Sequence, residues 1–221
     1  MRIGILGTGS LAAALGARWV DAGHEVVVGG RSPAKASALA ARLGPQVRAL
    51  PPRETVAVCD DAVLLAVSWD GAEDMVRNAG AADGLLDGKV LIDPTNAVEH
   101  GVGVLLTGPG DSMARRIAGA APGAQVVKAF HLLPADHWTR TPDGGESPVT
   151  VPLCGDDPSA LKIVSQLVND AGGVPAVVGP LARARQLEEV AGFVIGLTFA
   201  GVDPSSAIPG IALSPAASPS V

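Results

Sequence analysis

Residues 2–19 read RIGILGTGSLAAALGARW, an apolar run that breaks at Gly7-Thr8-Gly9-Ser10-Leu11-Ala12 and resumes as a helix-forming stretch. Strand, tight turn and helix in this order open a dinucleotide-binding unit. Gly7 permits the turn, Gly9 lets a pyrophosphate come against the backbone, and Ala12 is small enough for the helix to lie close on the strand. The free amides at the helix start then face the phosphates. A GxGxxA match alone fits many glycine-rich turns. Here it follows a strand, opens a helix and is followed by a second strand at the expected distance, which is the context that gives the match meaning.

That second strand ends in VVVGGRSPAK (26–35). An NAD site places Asp or Glu there for the ribose hydroxyls; this chain has Gly30, Arg31 and Ser32, with Lys35 one helical turn later. A guanidinium, a hydroxyl and an ammonium suit a 2′-phosphate, so NADP(H) is the expected cofactor. The alternative makes Arg31 and Lys35 solvated charges and Ser32 only a helix cap.

Outward from this unit, short apolar runs alternate with helix-length segments. Strands are expected at 2–6, 25–28, 62–67, 89–92, 125–130, 149–154 and 174–178, with a weaker one near Val47. Most have apolar residues on both faces, as buried parallel strands require. The expected class is α/β, a Rossmann-type doubly wound parallel sheet with a small C-terminal α/β lobe. The expected division is 1–147 for the NADP-binding domain, 148–202 for a lobe completing the substrate cleft, and 203–221 for a Pro/Ser/Ala-rich tail. Ser32 ahead of Pro33 and Asp157 ahead of Pro158 read as N-caps, and Gly23 and Gly172 as C-terminal stops.

Further cofactor contacts are expected at the carboxyl ends of the fourth and fifth strands, AVSW (66–69) and DPTNA (93–97), since ligands of open α/β sheets sit outside that edge. Ser68 and Asn96 are the candidates there. Ser68 and Asn96 equally suit a helix cap or a turn, and Trp69 reads as a packed aromatic. His131 ends the strand QVVKAF, where an imidazole can donate to a ring carbonyl or be held by a loop carbonyl. His24, His100 and His137 read as surface residues without metal-ligand spacing, and no metal site is expected. Glu188 and Glu189 read as the solvated side of the last helix, whose other face, Leu187, Val190, Val194 and Leu197, packs or forms a dimer contact. Asp60, Asp61, Asp156 and Asp157 read as caps and turns.

Composition narrows the function. Among 221 residues, 22 acidic and 16 basic ones leave a net charge of −6, which argues against nucleic acid or an anionic membrane surface as partner. The chain has no tyrosine, which excludes mechanisms that need a phenol acid. Cys59 and Cys154, with no CxxC, suggest neither a zinc site nor a disulfide framework, and a reducing cytoplasm is the expected location. No segment reaches the roughly 18 apolar residues of a membrane span. The opening IGILGTGSLAAALGA looks like a secretory signal, but its removal would discard a complete strand, turn and helix.

Four stretches together resemble the NADPH-dependent coenzyme F-420 reductases, the 8-hydroxy-5-deazaflavin:NADP oxidoreductase family: LGTGSLAAALGARWVDAGHEVVVGGRS, VVKAFHLLPA, VPLCGDDPSALKIVSQL and GPLARARQLEEVAG. The resemblance runs in order from Met1 to about Gly201 and extends to the oxidoreductase domain of the Steap metalloreductases. It implies direct hydride transfer between the nicotinamide and a deazaflavin, coenzyme F-420, in a cytoplasmic enzyme whose role is to set ring distance and exclude water. By position, Thr8, Ser10, Leu11, Arg31, Ser32 and Lys35 fall on NADP-binding positions, and Val67, Ser68 and Ala129 near the nicotinamide. His131, Leu133 and Pro134 fall on the deazaflavin pocket, with His131 the candidate catalytic residue. The chain departs from the family at Ala182 and Ala184, where hydroxyl or amide residues are usual, and in its tail. Three readings follow: the deazaflavin enzyme, which leads, an NADPH-dependent reductase of a small imine, enone or ketone, and a non-catalytic NADP-sensing module. A homodimer is the expected assembly.

Overall fold

The computed structural model describes residues 1–139 and 148–208. Eight strands form one sheet: β1 (Arg2–Leu6), β2 (Glu25–Gly29), β3 (Arg48–Leu50), β4 (Ala62–Leu65), β5 (Val90–Asp93), β6 (Gln125–Lys128), β7 (Thr150–Gly155) and β8 (Val174–Gly179). Their order is β3-β2-β1-β4-β5-β6-β7-β8. All neighbours are parallel except β6 and β7, which run antiparallel. The order reverses between β1 and β4, so the crevice at their carboxyl ends is the topological switch point where an open α/β sheet binds ligands.

Helices cover both faces, as the two-sided apolar strands demand. On one face α1 (Ser10–Asp21), α2 (Pro33–Leu43) and α6 (Pro158–Asp170) share a core with Ile3, Ile5, Val28, Leu64, Ile92 and Leu153. On the other, α3 (Pro52–Val58), α4 (Ala72–Asn78), α5 (Met113–Ala120) and α7 (Ala184–Phe199) pack on Leu6, Val63, Leu65, Leu91 and Cys154. Two of the helix starts have the expected chemistry: Ser32 Oγ accepts from Lys35 N at 3.4 Å, and Asp157 Oδ1 from Ala160 N at 2.7 Å. Gly23 and Gly172 stop α1 and α6 with φ of +83° and +91°.

The C-terminal elements are tied to the N-terminal ones by more than strand pairing. The fully buried Trp19 of α1 donates its Nε1–H to Leu167 O of α6 at 3.0 Å. His24 Nε2 lies 2.8 Å from Asp170 Oδ2, with 9% of its side chain exposed, so it is a tethering residue and not the surface histidine its sequence context suggested. The acidic residues read as local caps also reach further. Asp61 Oδ2 accepts from Arg2 N at 2.6 Å, Asp156 Oδ1 from Leu181 N at 2.8 Å, and Asp60 pairs with Lys89 at 3.2 Å. The expected domain boundary at 147 and most of the expected tail, 209–221, lie outside the described residues.

Candidate active site: a nucleotide groove and a second cleft

Gly7 leaves β1 with φ +138°, and a Cβ there would stand 1.9 Å from Ala66 O, so only glycine lets the first turn pass the end of β4. Gly9 closes the turn with no atom within 4 Å of its missing side chain. It also leaves α1 without a side-chain cap. Open backbone and uncapped amides at a helix start are an anion site in waiting. At Gly30 a Cβ would stand 3.1 Å from Thr8 Cγ2, so the second glycine loop lies against the first.

These loops enclose a groove of about 250 Å³ that brings together Gly7, Thr8, Gly9, Gly30, Arg31, Ser32 and Lys35. Val67, Ser68 and Met75 close its far side. The Arg31 and Lys35 side chains enter no ion pair or hydrogen bond with the described residues, so both cations are available to a phosphate. Of the remaining candidates, Ser10 and Leu11 open α1 beside the groove, whereas Asn96 and Ala129 lie apart from it, following β5 and β6. Beyond Arg31 a recess of about 440 Å³ runs between α2 and the start of α3, walled by Ala49, Leu50, Pro51, Pro52, Arg53 and Asn78. Nothing in the local sequence pattern announced it, because β3 is short and its loop reads as a simple Pro-Pro turn.

A second cleft, of about 320 Å³, opens where the chain leaves β6. One wall is His131, Leu132, Leu133 and Pro134; the other is Ala191, Val194, Ile195, Thr198 and Phe199 of α7. The turn into it is strained, since Phe130 has φ +60°. A bulky residue in that region is a genuine outlier that persists only where packing over-determines it. Here the Phe130 ring is held edge-on by Trp19 at 6.0 Å and Trp138 at 5.4 Å. His131 follows with 6% of its surface exposed and both ring nitrogens without a partner among the described residues. Burial, with the neighbouring Lys128 ammonium as a smaller cause, pushes its pKa down to about 3. The imidazole is therefore neutral across the physiological range, with one N–H to donate and one nitrogen to accept. Asn96 Nδ2 donates to His131 O at 2.7 Å, so this residue links the loop after β5 to the cleft.

Beneath the cleft lies a group of charges that the sequence reading did not single out. Lys128, the last residue of β6, is fully buried with its Nζ 3.0 Å from Asp93 Oδ2 and 2.9 Å from Glu188 Oε1, and it also donates to Thr95 O. Asp93 Oδ1 accepts from Thr95 N and Oγ1 at 2.8 and 2.7 Å. Glu188 accepts from Met113 N at 3.0 Å and Ala114 N at 3.3 Å, so it caps α5 from α7. The reading of Glu188 as a solvated residue is overturned: it is fully buried, because the face of α7 that turns inward is Ala184, Leu187, Glu188, Ala191 and Gly192. Val190, Val194 and Leu197 are only half-buried. Ala184 packs in the core and Ala182 is exposed, so neither departure from the family pattern lines the cleft. The available signal was an aspartate and a lysine ending two otherwise apolar strands. Among the described residues no cluster of metal-ligating side chains occurs, and no helix is long and apolar enough to cross a membrane.

Residues 2–97 match the family described as NADP oxidoreductase coenzyme F420-dependent. The F420-dependent NADP reductase of Methanothermobacter thermautotrophicus is 28% identical over 218 residues, covering 90% of each chain. A solved Arthrobacter sp. FB24 protein, described as a candidate F420-dependent NADP reductase, superimposes with a TM-score of 0.76 at 26% identity, covering 90% of this chain and 95% of that one. Metalloreductase STEAP3 of Rattus norvegicus is 30% identical over 86% of this chain, which spans only 36% of the STEAP3 length. The chain is thus similar to the coenzyme F420-dependent NADP oxidoreductases through residues 2–97, and it shares the fold of a solved relative over nine tenths of its length.

Proposed function

We propose that the protein exchanges a hydride between NADP(H), held in the groove at the carboxyl ends of β1, β2 and β4, and a deazaflavin coenzyme held in the cleft between His131 and α7. The observation that carries this reading is the second cleft itself: an apolar enclosure at the same sheet edge as the groove, with one neutral, unpartnered imidazole in its wall. The Gly7–Gly9 turn and the α1 amides hold the pyrophosphate. Arg31, Ser32 and Lys35 hold the 2′-phosphate, and the recess beyond Arg31 takes the adenine. Bound NADP(H) supplies the hydride donor or acceptor carbon. The protein's own part is to set ring distance, exclude water and orient the acceptor through His131 and the Leu133-Pro134 wall. The 148–202 segment, through α7, completes the cleft. Exposed Val102, Val104, Leu106, Phe193 and Phe199 support an assembly of two such chains.

His131→Asn tests the reading. An orienting hydrogen bond contributes about 1 to 3 kcal/mol, so single-turnover hydride transfer from NADPH to oxidised deazaflavin should slow roughly 5- to 150-fold yet stay measurable. Unchanged acceptor affinity and an unchanged rate would move the acceptor away from this cleft. In the groove, Arg31→Ala should remove most of the preference for NADPH over NADH. A charge-assisted contact to phosphate is worth about 1.5 to 3 kcal/mol, a factor of roughly 10 to 150 in affinity. Calorimetric titration giving equal affinities in the unaltered protein would sink the NADP assignment.

A second reading, reduction of a small imine, enone or ketone by NADPH, is favoured by one observation: the described residues lining the cleft include no Lys, Arg, Asp or Glu, which suits an uncharged acceptor. A cyclic imine assayed beside the deazaflavin separates the two.

A further inference from the structure

We propose that Glu188 is the positioning residue of the second cleft, fixing the rotation and depth of α7 so that its lower turns form the wall opposite His131. This rests on the reading of that cleft as the acceptor site. Glu188, Ala191, Ile195 and Thr198 recur at helical spacing along one stripe of α7, so an anchor at the first sets the direction of the other three. Ala191, Ile195 and Thr198 all line the cleft, whereas Glu188 lies below it, against the sheet.

The anchor is directional. One oxygen of Glu188 meets Lys128 Nζ of β6 at 2.9 Å and Ala114 N at 3.3 Å, and the other meets Met113 N at 3.0 Å. Three donors from two elements leave the carboxylate one orientation. Lys128 is itself held by Asp93 of β5 at 3.0 Å, so the position of α7 is referred to the strands whose carboxyl ends carry Asn96 and His131. Further along, contact with the loop after β5 is close: a Cβ on Gly192 would stand 2.3 Å from Gly103 O. The helix therefore has a close-fitting support at Gly192 and a charged pin at Glu188, four residues earlier. A carboxylate is suited to the pin because charge-assisted hydrogen bonds are shorter and more orienting than neutral ones, and the α5 N-terminus favours the negative charge.

Glu188→Gln keeps the length of the side chain but presents an NH₂ group where one of its donors now bonds. In the full-length protein we expect the equilibrium Kd for oxidised deazaflavin, titrated by absorbance without NADPH, to rise about tenfold. Single-turnover hydride transfer should fall about 10- to 100-fold, as a misplacement near 1 Å produces. NADPH affinity should stay within twofold, because among the described residues no hydrogen bond or ion pair joins a groove residue to Lys128, Asp93 or Glu188. A folded variant with unchanged deazaflavin Kd and rate overturns the proposal, as does one in which NADPH and deazaflavin affinities fall by the same factor, which is a general loss of structure. If Glu188→Gln does not accumulate, Glu188→Asp carries the same test: the charge remains, the arm is one methylene shorter, and an unchanged deazaflavin Kd overturns the pin. Failure of the unaltered protein to bind deazaflavin at all removes the acceptor-site reading itself, an outcome distinct from any behaviour of the variants.

Discussion

Lys128→Met is expected to cost about 3 to 5 kcal/mol of folding stability at pH 7, the range found when one partner of a buried ion pair is removed. The effect comes from what is left behind. Asp93 and Glu188 are both fully buried, and among the described residues the ammonium between them is the only cation at ion-pair distance from either. Without it the site holds two carboxylates. Asp93 keeps its two bonds from Thr95, and Glu188 keeps the α5 amides, so neither is fully abandoned; Thr95 O, however, also loses its donor. Adding Glu188→Gln to Lys128→Met should recover part of the loss, since one uncompensated charge is removed with the lysine. Urea unfolding of the single and double variants measures both quantities. A single-variant loss below about 1 kcal/mol would mean that the carboxylates are already relieved by protonation or solvent, and the account of the cluster as ionised would fall.

This cluster also marks where the sequence stopped being legible. Seven of the eight strands were readable because each is a short apolar run with turn chemistry at its ends, and β1, at Arg2–Leu6, was readable to the residue; the three-residue β3, Arg48–Leu50, left only a weak run near Val47. The nucleotide groove was readable for a related reason: Gly7, Gly9 and Gly30 are demanded by local backbone geometry, and Ser32 caps the helix that its own neighbours form. The partners of Lys128 are not local. Asp93 comes from the adjacent strand and Glu188 from a helix sixty positions on, and only the assembled sheet brings them together. Glu188 was misread for a further reason. Helical periodicity assigns burial to the apolar face, and a carboxylate on a stripe with Ala184, Ala191 and Gly192 looks solvated until its three donors are seen. His24 was misread in the same way, because Asp170 lies in the C-terminal half of the chain. The strain at Phe130 had no signal, since a positive φ in a phenylalanine is imposed by Trp19 and Trp138 and not by its neighbours in sequence.

His131 should make the folded protein acid-sensitive in a window set by its own pKa. The folded imidazole, held down to about 3 by burial and then by Lys128, stays neutral where the unfolded one, near 6.5, takes up a proton. Between these values the unfolded state binds more protons, so stability falls as the pH falls. Well above pH 6.5 both states are neutral and the residue contributes nothing to the pH dependence. By pH 5 the loss attributable to His131 is about 2 kcal/mol, and across the whole window it approaches roughly 5 kcal/mol, at 1.36 kcal/mol per pH unit. Other groups titrate in this range too, so the test is a difference. Unfolding free energies of the unaltered protein and His131→Gln, measured at pH 7 and pH 5, should show the histidine form losing about 2 kcal/mol more. Equal losses in the two proteins would require the imidazole to accept its proton in the folded state, and hence a solvent-open site. That same result would bear on catalysis. A histidine that titrates near 6.5 can relay a proton at neutral pH, whereas one held near 3 is limited there to neutral hydrogen bonds, the role the proposed function gives it.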